Sequence, residues 1–236
     1  MKLELCAASL DAIRLAKKYE FDRIELCQNL EQGGMTPSPG MIEYALAVGL
    51  EIHVLIRPRP GGFFYDEDEV EIMLRDIREC KAIGAHGVVV GIYNEDGWID
   101  RDALEKMKRQ SDGMEMTFHR AFDDLVRFEK GMDKLIDLEF NRILSSGLER
   151  NVDLGLKNLI EMREYAAGRI EIMTGGGVNA SNIARLRDEV QPDAIHFSGT
   201  QKAVLDEDSK FRENVLAIDE KKLVRILQEF GRDVRI

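Results

Sequence analysis

Ile170-Glu171-Ile172-Met173-Thr174-Gly175-Gly176-Gly177-Val178-Asn179 is a β-rich run that ends in three bare glycines. It reads as a strand whose exit lets backbone N–H groups approach an anion at the start of a helix. Seven further runs share the pattern of strand, polar turn and amphipathic segment: Leu3–Ala7, Arg23–Cys27, Glu51–Arg57, Gly87–Gly91, Glu115–His119, Arg142–Ser146 and Ala194–Ser198. Successive runs begin about 20 to 36 residues apart, the length of one βα unit. Strands alternating with helices predict a parallel sheet. An open doubly wound sheet commonly carries a glycine-rich fingerprint after its first strand, but Ala7-Ala8-Ser9-Leu10 follows here. Eight strands, with glycines after the seventh, favour an α/β fold: a single (β/α)8 TIM barrel over residues 1–236, with an additional C-terminal helix at Glu220–Phe230.

The segments between the strands support this. Leu10–Tyr19 and Asp66–Ile83 carry apolar residues at spacings of three and four, the stripe a helix needs to cover a sheet. Ser9 and Ser181 stand where helix N-caps are expected, and Gly84 stands where the third helix should stop. Gln28–Pro39, Pro58–Tyr65 and Gln201–Ala217 read as long irregular stretches, and such loops are usually functional.

The net charge of −11 argues against nucleic-acid binding, which needs lysine and arginine patches. Cys6, Cys27 and Cys80 are too few and too irregularly spaced for a disulfide framework, so a reducing cytoplasm is expected. The N-terminus lacks the apolar run of a signal peptide, and no window approaches 18 uncharged apolar residues, so no membrane partner is expected.

Chemistry in a TIM barrel comes from the C-terminal ends of different strands. Residues two apart on a strand share a face. On that basis the strand ends offer Glu4 and Cys6, Glu25 and Cys27, His53 and Arg57 with Arg59 beyond, Thr117 and His119 followed by Arg120 and Asp123, then His196 and Ser198. Parallel strands normally read as continuous Val, Ile and Leu, so these acids and histidines point to a wet cleft. Gly175, Gly176 and Gly177, with Ser198 nearby, sit where barrel enzymes hold phosphate. Cys6 and Cys27 should be neighbours, and adjacent thiols suit Cu(I), although small buried thiols also serve as packing. Cys80, on a helix, reads as packing. Two functions stay open at this point. One is copper binding at Cys6 and Cys27. The other is an enzyme acting on a small phosphorylated or carboxylated ligand. There the glycine turn or Arg57, Arg59 or Arg120 would hold the anion, with His119, Glu4 or Glu25 as acid or base. A barrel with a purely structural or regulatory task is a third, weaker reading. No lysine stands at a strand mouth, which disfavours a Schiff base.

Six blocks together carry a family resemblance: Glu4-Leu5-Cys6, Asp22–Cys27, Glu31–Ser38, Ile56-Arg57-Pro58-Arg59, Thr117–Asp123 and Gly175–Val178. They resemble the CutC family, faintly as far as Lys210-Phe211-Arg212. The resemblance implies a cytoplasmic TIM barrel with a proposed part in copper homeostasis, Cys6 and Cys27 as copper ligands, and a homo-oligomer, dimer or tetramer. Where the family carries Gly-Gly-Asp-Phe, this chain reads Gly61-Gly62-Phe63-Phe64, so the acid is missing at that position and Asp66 or Asp68 is left as a partial substitute.

Overall fold

The eight runs form eight parallel strands in chain order: β1 Lys2–Ala7, β2 Arg23–Leu26, β3 Ile52–Leu55, β4 Gly87–Val90, β5 Glu115–Phe118, β6 Arg142–Ser145, β7 Glu171–Gly175 and β8 Ala194–Phe197. Each pairs with the next, and β8 pairs back onto β1 to close the barrel. The structure is a computed structural model that describes residues 1–204, 208, 210 and 214–236. Strand alternation sorts the residues. Leu3, Leu5, Ile24, Leu26, Ile52, Val54, Val88 and Val90 are fully buried in the aliphatic layer beneath the helices. Their alternate neighbours Glu4, Arg23, Glu25 and His53 are therefore left for the barrel interior.

The helices follow the strands: α1 Leu10–Lys18, α2 Pro39–Ala47, α3 Glu67–Ile83, α4 Arg101–Gln110, α5 Phe128–Asp137, α6 Leu156–Ala166, α7 Ile183–Arg185 and α8 Glu220–Phe230. A π-helical turn, Leu186–Val190, continues α7. Ser9 caps α1 by accepting the Ala12 N–H at 3.2 Å. Asp66 and Glu69 form a reciprocal capping box on α3, and Gly84 ends that helix at φ 98°. Ser181 does not cap α7. Asn182 occupies the N-cap position, and the Asn179 carboxamide accepts the Ser181 N–H, because the two asparagines claim the local backbone groups first.

Gln201–Ala217 departs from its reading as irregular chain. It contains an antiparallel hairpin of β9 Thr200–Val204 and β10 Asn214–Ile218, with Thr200 opposite Ile218 and Ala203 opposite Val215. The Leu216 N–H donates to Glu31 at 2.5 Å and ties the hairpin to the β2–α2 loop. Phe211 and Arg212 lie outside the described residues. The helix expected at the C-terminus forms as α8 and supplies the eighth helix of the ring. It meets α1 through Lys18 and the Tyr19 hydroxyl, both bonded to Glu220.

One backbone crossing fixes the route of the chain after β6. A Cβ on Gly155 would stand 1.8 Å from the Ser146 carbonyl oxygen. Gly155→Ala is expected to cost about 3 kcal/mol through overpacking and to lower the thermal midpoint by roughly 6–12 °C. Gly40→Ala, in α2 where a Cβ meets nothing within 4 Å, is expected to match or exceed the wild type. Thermal unfolding of both variants checks the contrast.

Candidate functional site

Inside the barrel the polar side chains form a connected column. Near the N-terminal ends of the strands, Arg142 reaches Glu115 and Glu171, each at 2.8 Å, and donates to Thr117 at 3.0 Å. His53 follows, 3.4 Å from Arg142, with Glu51 and Glu115 at 3.5 and 3.6 Å. Arg23 lies 3.5 Å from Glu51 and bonds Glu4 through Nε. Glu4 takes the His196 Nδ1 at 2.7 Å, and His196 Nε2 lies 3.4 Å from Glu25. Register explains the central link. Glu4 is directly opposite Arg23 on β2 and directly opposite His196 on β8, so one carboxylate meets a cation on each side.

The column ends at a cleft of about 150 Å³ at the C-terminal ends of the strands. One wall carries Cys6, Glu25, Cys27 and His196, and the other carries Arg57, His119, Arg120 and Phe63, with Leu30, Leu55 and Leu144 between. The Cys6 and Cys27 sulfurs are 3.8 Å apart. Ligand atoms of Cys6, Glu25 and His196 all lie within 4.8 Å of one another, a set able to hold a metal ion. A wider groove of about 540 Å³ lies beside Lys18, Tyr19 and Arg232–Arg235. It offers neither thiol nor imidazole, so the strand-end cleft is the candidate site.

The expected site residues divide. Cys6, Glu25, Cys27, Arg57, His119, Arg120 and His196 come together in the cleft. Glu4 does not line it but is fully buried in the column. Arg59 points into the β3–α3 loop, bonded to Glu69 and to the Gly62 and Phe64 carbonyls. Asp123 ties β5 to β6, accepting from Arg120, Ser145 and the Ser146 and Leu148 N–H groups. A Cβ on Gly175 would run into Leu144, and one on Gly176 would stand 2.8 Å from the Arg120 guanidinium. None of the three glycines lines the cleft, and Gly177 is exposed. Ser198 pairs with Thr200 at the root of the hairpin. Reading strand ends alone missed Arg23 and Arg142. Each starts its strand on the inner face, two positions before Glu25 and Leu144, and that spacing was the available signal.

The two histidines have opposite environments. Burial pushes both down, but for His196 the Glu25 charge, Cys6 and Glu4 outweigh it and hold the imidazole protonated well above the usual histidine range. Burial and the Arg57 charge push His119 down to about 3, so its ring is neutral. Its Nδ1 accepts the Ala121 N–H at 3.0 Å. Burial also raises Glu25. Glu4 is raised by burial, yet the His196 hydrogen bond and Arg23 charge overcome this and hold it well below the usual carboxylate range. The Cys27 contact and burial raise the Cys6 thiol.

Linkage gives the signs. The stabilisation from His196 is complete below pH 6.5 and fades as pH rises through its elevated pKa. That from His119 is complete above pH 6.5 and fades as pH falls toward about 3. NMR titration of the two rings is expected to find His196 protonated at pH 7.5 and His119 neutral at pH 5. Two ordinary titrations near 6.5 would contradict the column. Glu4→Gln leaves Arg23 and His196 without their shared carboxylate and is expected to destabilise the fold by about 3–5 kcal/mol in denaturant unfolding.

This fold and strand-end set have relatives. The sequence profile of the CutC family matches residues 1–201. The family protein CutC of Glaesserella parasuis is 39% identical over 238 residues, 97% of this chain and 98% of its own length. That of Agrobacterium fabrum is 40% identical over 210 residues, 89% and 84% of the two chains. Among solved structures, CutC from Streptococcus agalactiae, provisionally described as a copper homeostasis protein, aligns with a TM-score of 0.79 at 36% identity, covering 83% of this chain and 98% of that one. N-(5'-phosphoribosyl)anthranilate isomerase from Pyrococcus furiosus shares the fold alone, with a TM-score of 0.58 at 14% identity over 98% of each chain. With its own family's profile running from β1 through β8 and such relatives along nearly its whole length, the chain belongs to the CutC family.

Proposed function

We propose that this chain takes part in copper homeostasis by binding Cu(I) as cargo between Cys6 and Cys27, with His196 as a third ligand. The observation that carries this is the 3.8 Å separation of the two sulfurs on the wall of a cleft. Thiolate–metal bonds of about 2.3 Å set two sulfurs roughly 3.8 to 4.0 Å apart at tetrahedral to trigonal angles, so the pair needs little rearrangement to take a metal. Thiolates select Cu(I) over harder ions, and His196 stands within ligand distance of Cys6.

Charge and redox state agree with this reading. All three cysteines are free and buried, which suits a reducing cytoplasm. No helix among the described residues is long and apolar enough to cross a membrane. We take the working form to be a homo-oligomer, a dimer or tetramer, with exposed Val126 and Leu154 as apolar surface for such contacts. The net charge of −11 disfavours a nucleic-acid partner.

Cu(I) must displace protons to bind here, because the Cys27 contact and burial keep the Cys6 thiol protonated and His196 also holds its proton. Affinity is therefore expected to rise with pH, by up to about tenfold per pH unit for each proton released. An anaerobic competition titration against a colorimetric Cu(I) chelator is expected to give one ion per chain, and at least about a hundredfold weaker binding in Cys6→Ser/Cys27→Ser. Equal affinity in the double variant would remove the thiol site.

A further inference from the structure

The donor wall of the cleft has no part in the thiol site. His119 leaves β5 with its ring laid against β4. A Cβ on Gly91 would stand 2.2 Å from His119 Cε1 and 2.3 Å from Nδ1, so the imidazole fills space that only glycine leaves free. Because Nδ1 accepts the Ala121 N–H, the ring proton resides on Nε2. That Nε2–H belongs to a cleft-lining residue only 6% exposed, and it has no hydrogen-bond partner among the described residues. Unpaired buried donors are rare and ask for an explanation.

The surroundings favour a negative acceptor. Arg57 and Arg120 both act on His119 as nearby positive charges. The Arg57 Nη groups are taken by the Gln32, Gly34 and Gly61 carbonyls, whereas its Nε meets no acceptor in hydrogen-bond geometry among the described residues. The Phe63 ring lies 4.6 Å from the His119 imidazole and 5.2 Å from the Arg57 guanidinium carbon and lines the cleft with both. The cleft, about 150 Å³ in volume, has room for a small organic acid.

We propose that this wall is a subsite for a small monocarboxylate. The carboxylate accepts the His119 Nε2–H beside Arg57, and the carbon chain packs on Phe63, Leu55 and Leu144. The Phe63 ring turns to admit it, since Nε2 is closed to water in the resting position. Phe63 thereby sets specificity: a carboxylate at position 63 would satisfy the same donors from within the chain. The proposal goes beyond copper binding and stands without it.

Calorimetric titration of the full chain with pyruvate and propionate, and with inorganic phosphate for comparison, tests it. Saturable binding of the two acids at millimolar concentrations is expected, with phosphate at least about tenfold weaker. His119→Phe and Phe63→Asp are each expected to weaken the acids by at least about tenfold, while His119→Gln, whose amide N–H replaces Nε2–H, retains most of the affinity. Phe63 is half-buried on a loop whose neighbours Gly62 and Phe64 are exposed, and Phe63→Asp is expected to keep the wild-type circular dichroism and Cu(I) titration, which separates this outcome from that of the thiol site. No saturable binding of either acid, phosphate binding as tightly, or wild-type affinity in a folded Phe63→Asp would overturn the proposal.

Discussion

Glu4 is the point on which the barrel interior depends. Its buried carboxylate joins Arg23 on one side to His196 on the other, across the seam where β8 returns to β1. Without it, two cations would face each other away from water, an arrangement far costlier than an exposed ion pair. Above this link, His196 is held protonated toward Glu25 and Cys6. Below it, Arg23 passes charge compensation to Glu51 and the His53–Arg142 group. The cleft therefore rests on a foundation that is itself ionic, where other barrels commonly place layers of branched aliphatic side chains.

The two walls of the cleft differ because different elements build them. Cys6, Glu25, Cys27 and His196 sit on or beside β1, β2 and β8, near the seam, and the ionic column raises the affinity of His196 for its proton there. Arg57, Phe63, His119 and Arg120 come from the exits of β3 and β5, where loops rather than strands decide placement. Arg57 collects three loop carbonyls and Arg120 is held by Asp123 and Ser146, so each guanidinium organises backbone while adding positive charge beside the cleft. A thiol–acid wall thus faces a donor wall within one small volume.

The strands were legible in the sequence because β-rich runs and helical stripes recur with a spacing that only a βα repeat explains. Six of the seven residues that meet in the cleft followed from alternation at the strand ends, and Arg120 came from its place directly after His119. What alternation cannot supply is height along the barrel axis. Strands tilt and stagger in a closed barrel, so Glu4 and Glu25, both inward, fall on different levels, and Glu4 sinks out of the cleft. Loop residues escaped for another reason. Arg59, Asp123 and the glycine turn are placed by the particular carbonyls and side chains they meet, and local spacing does not encode those partners. The hairpin of β9 and β10 was hidden by the charged chain between its strands. Phe63 was visible only as a departure from a pattern, and its contact with His119 and Arg57 gives that departure a physical meaning.

The ionic column also bears on how this protein can diverge. Replacing Arg23, Glu4 or His196 singly strands a buried charge, whereas exchanging the linked set together for well-packed apolar groups need not. Drift at these positions is therefore locked into steps of several residues at once. The outer aliphatic layer is free to change one methyl group at a time, so the centre of this barrel should keep an ancestral arrangement long after its periphery has been rewritten.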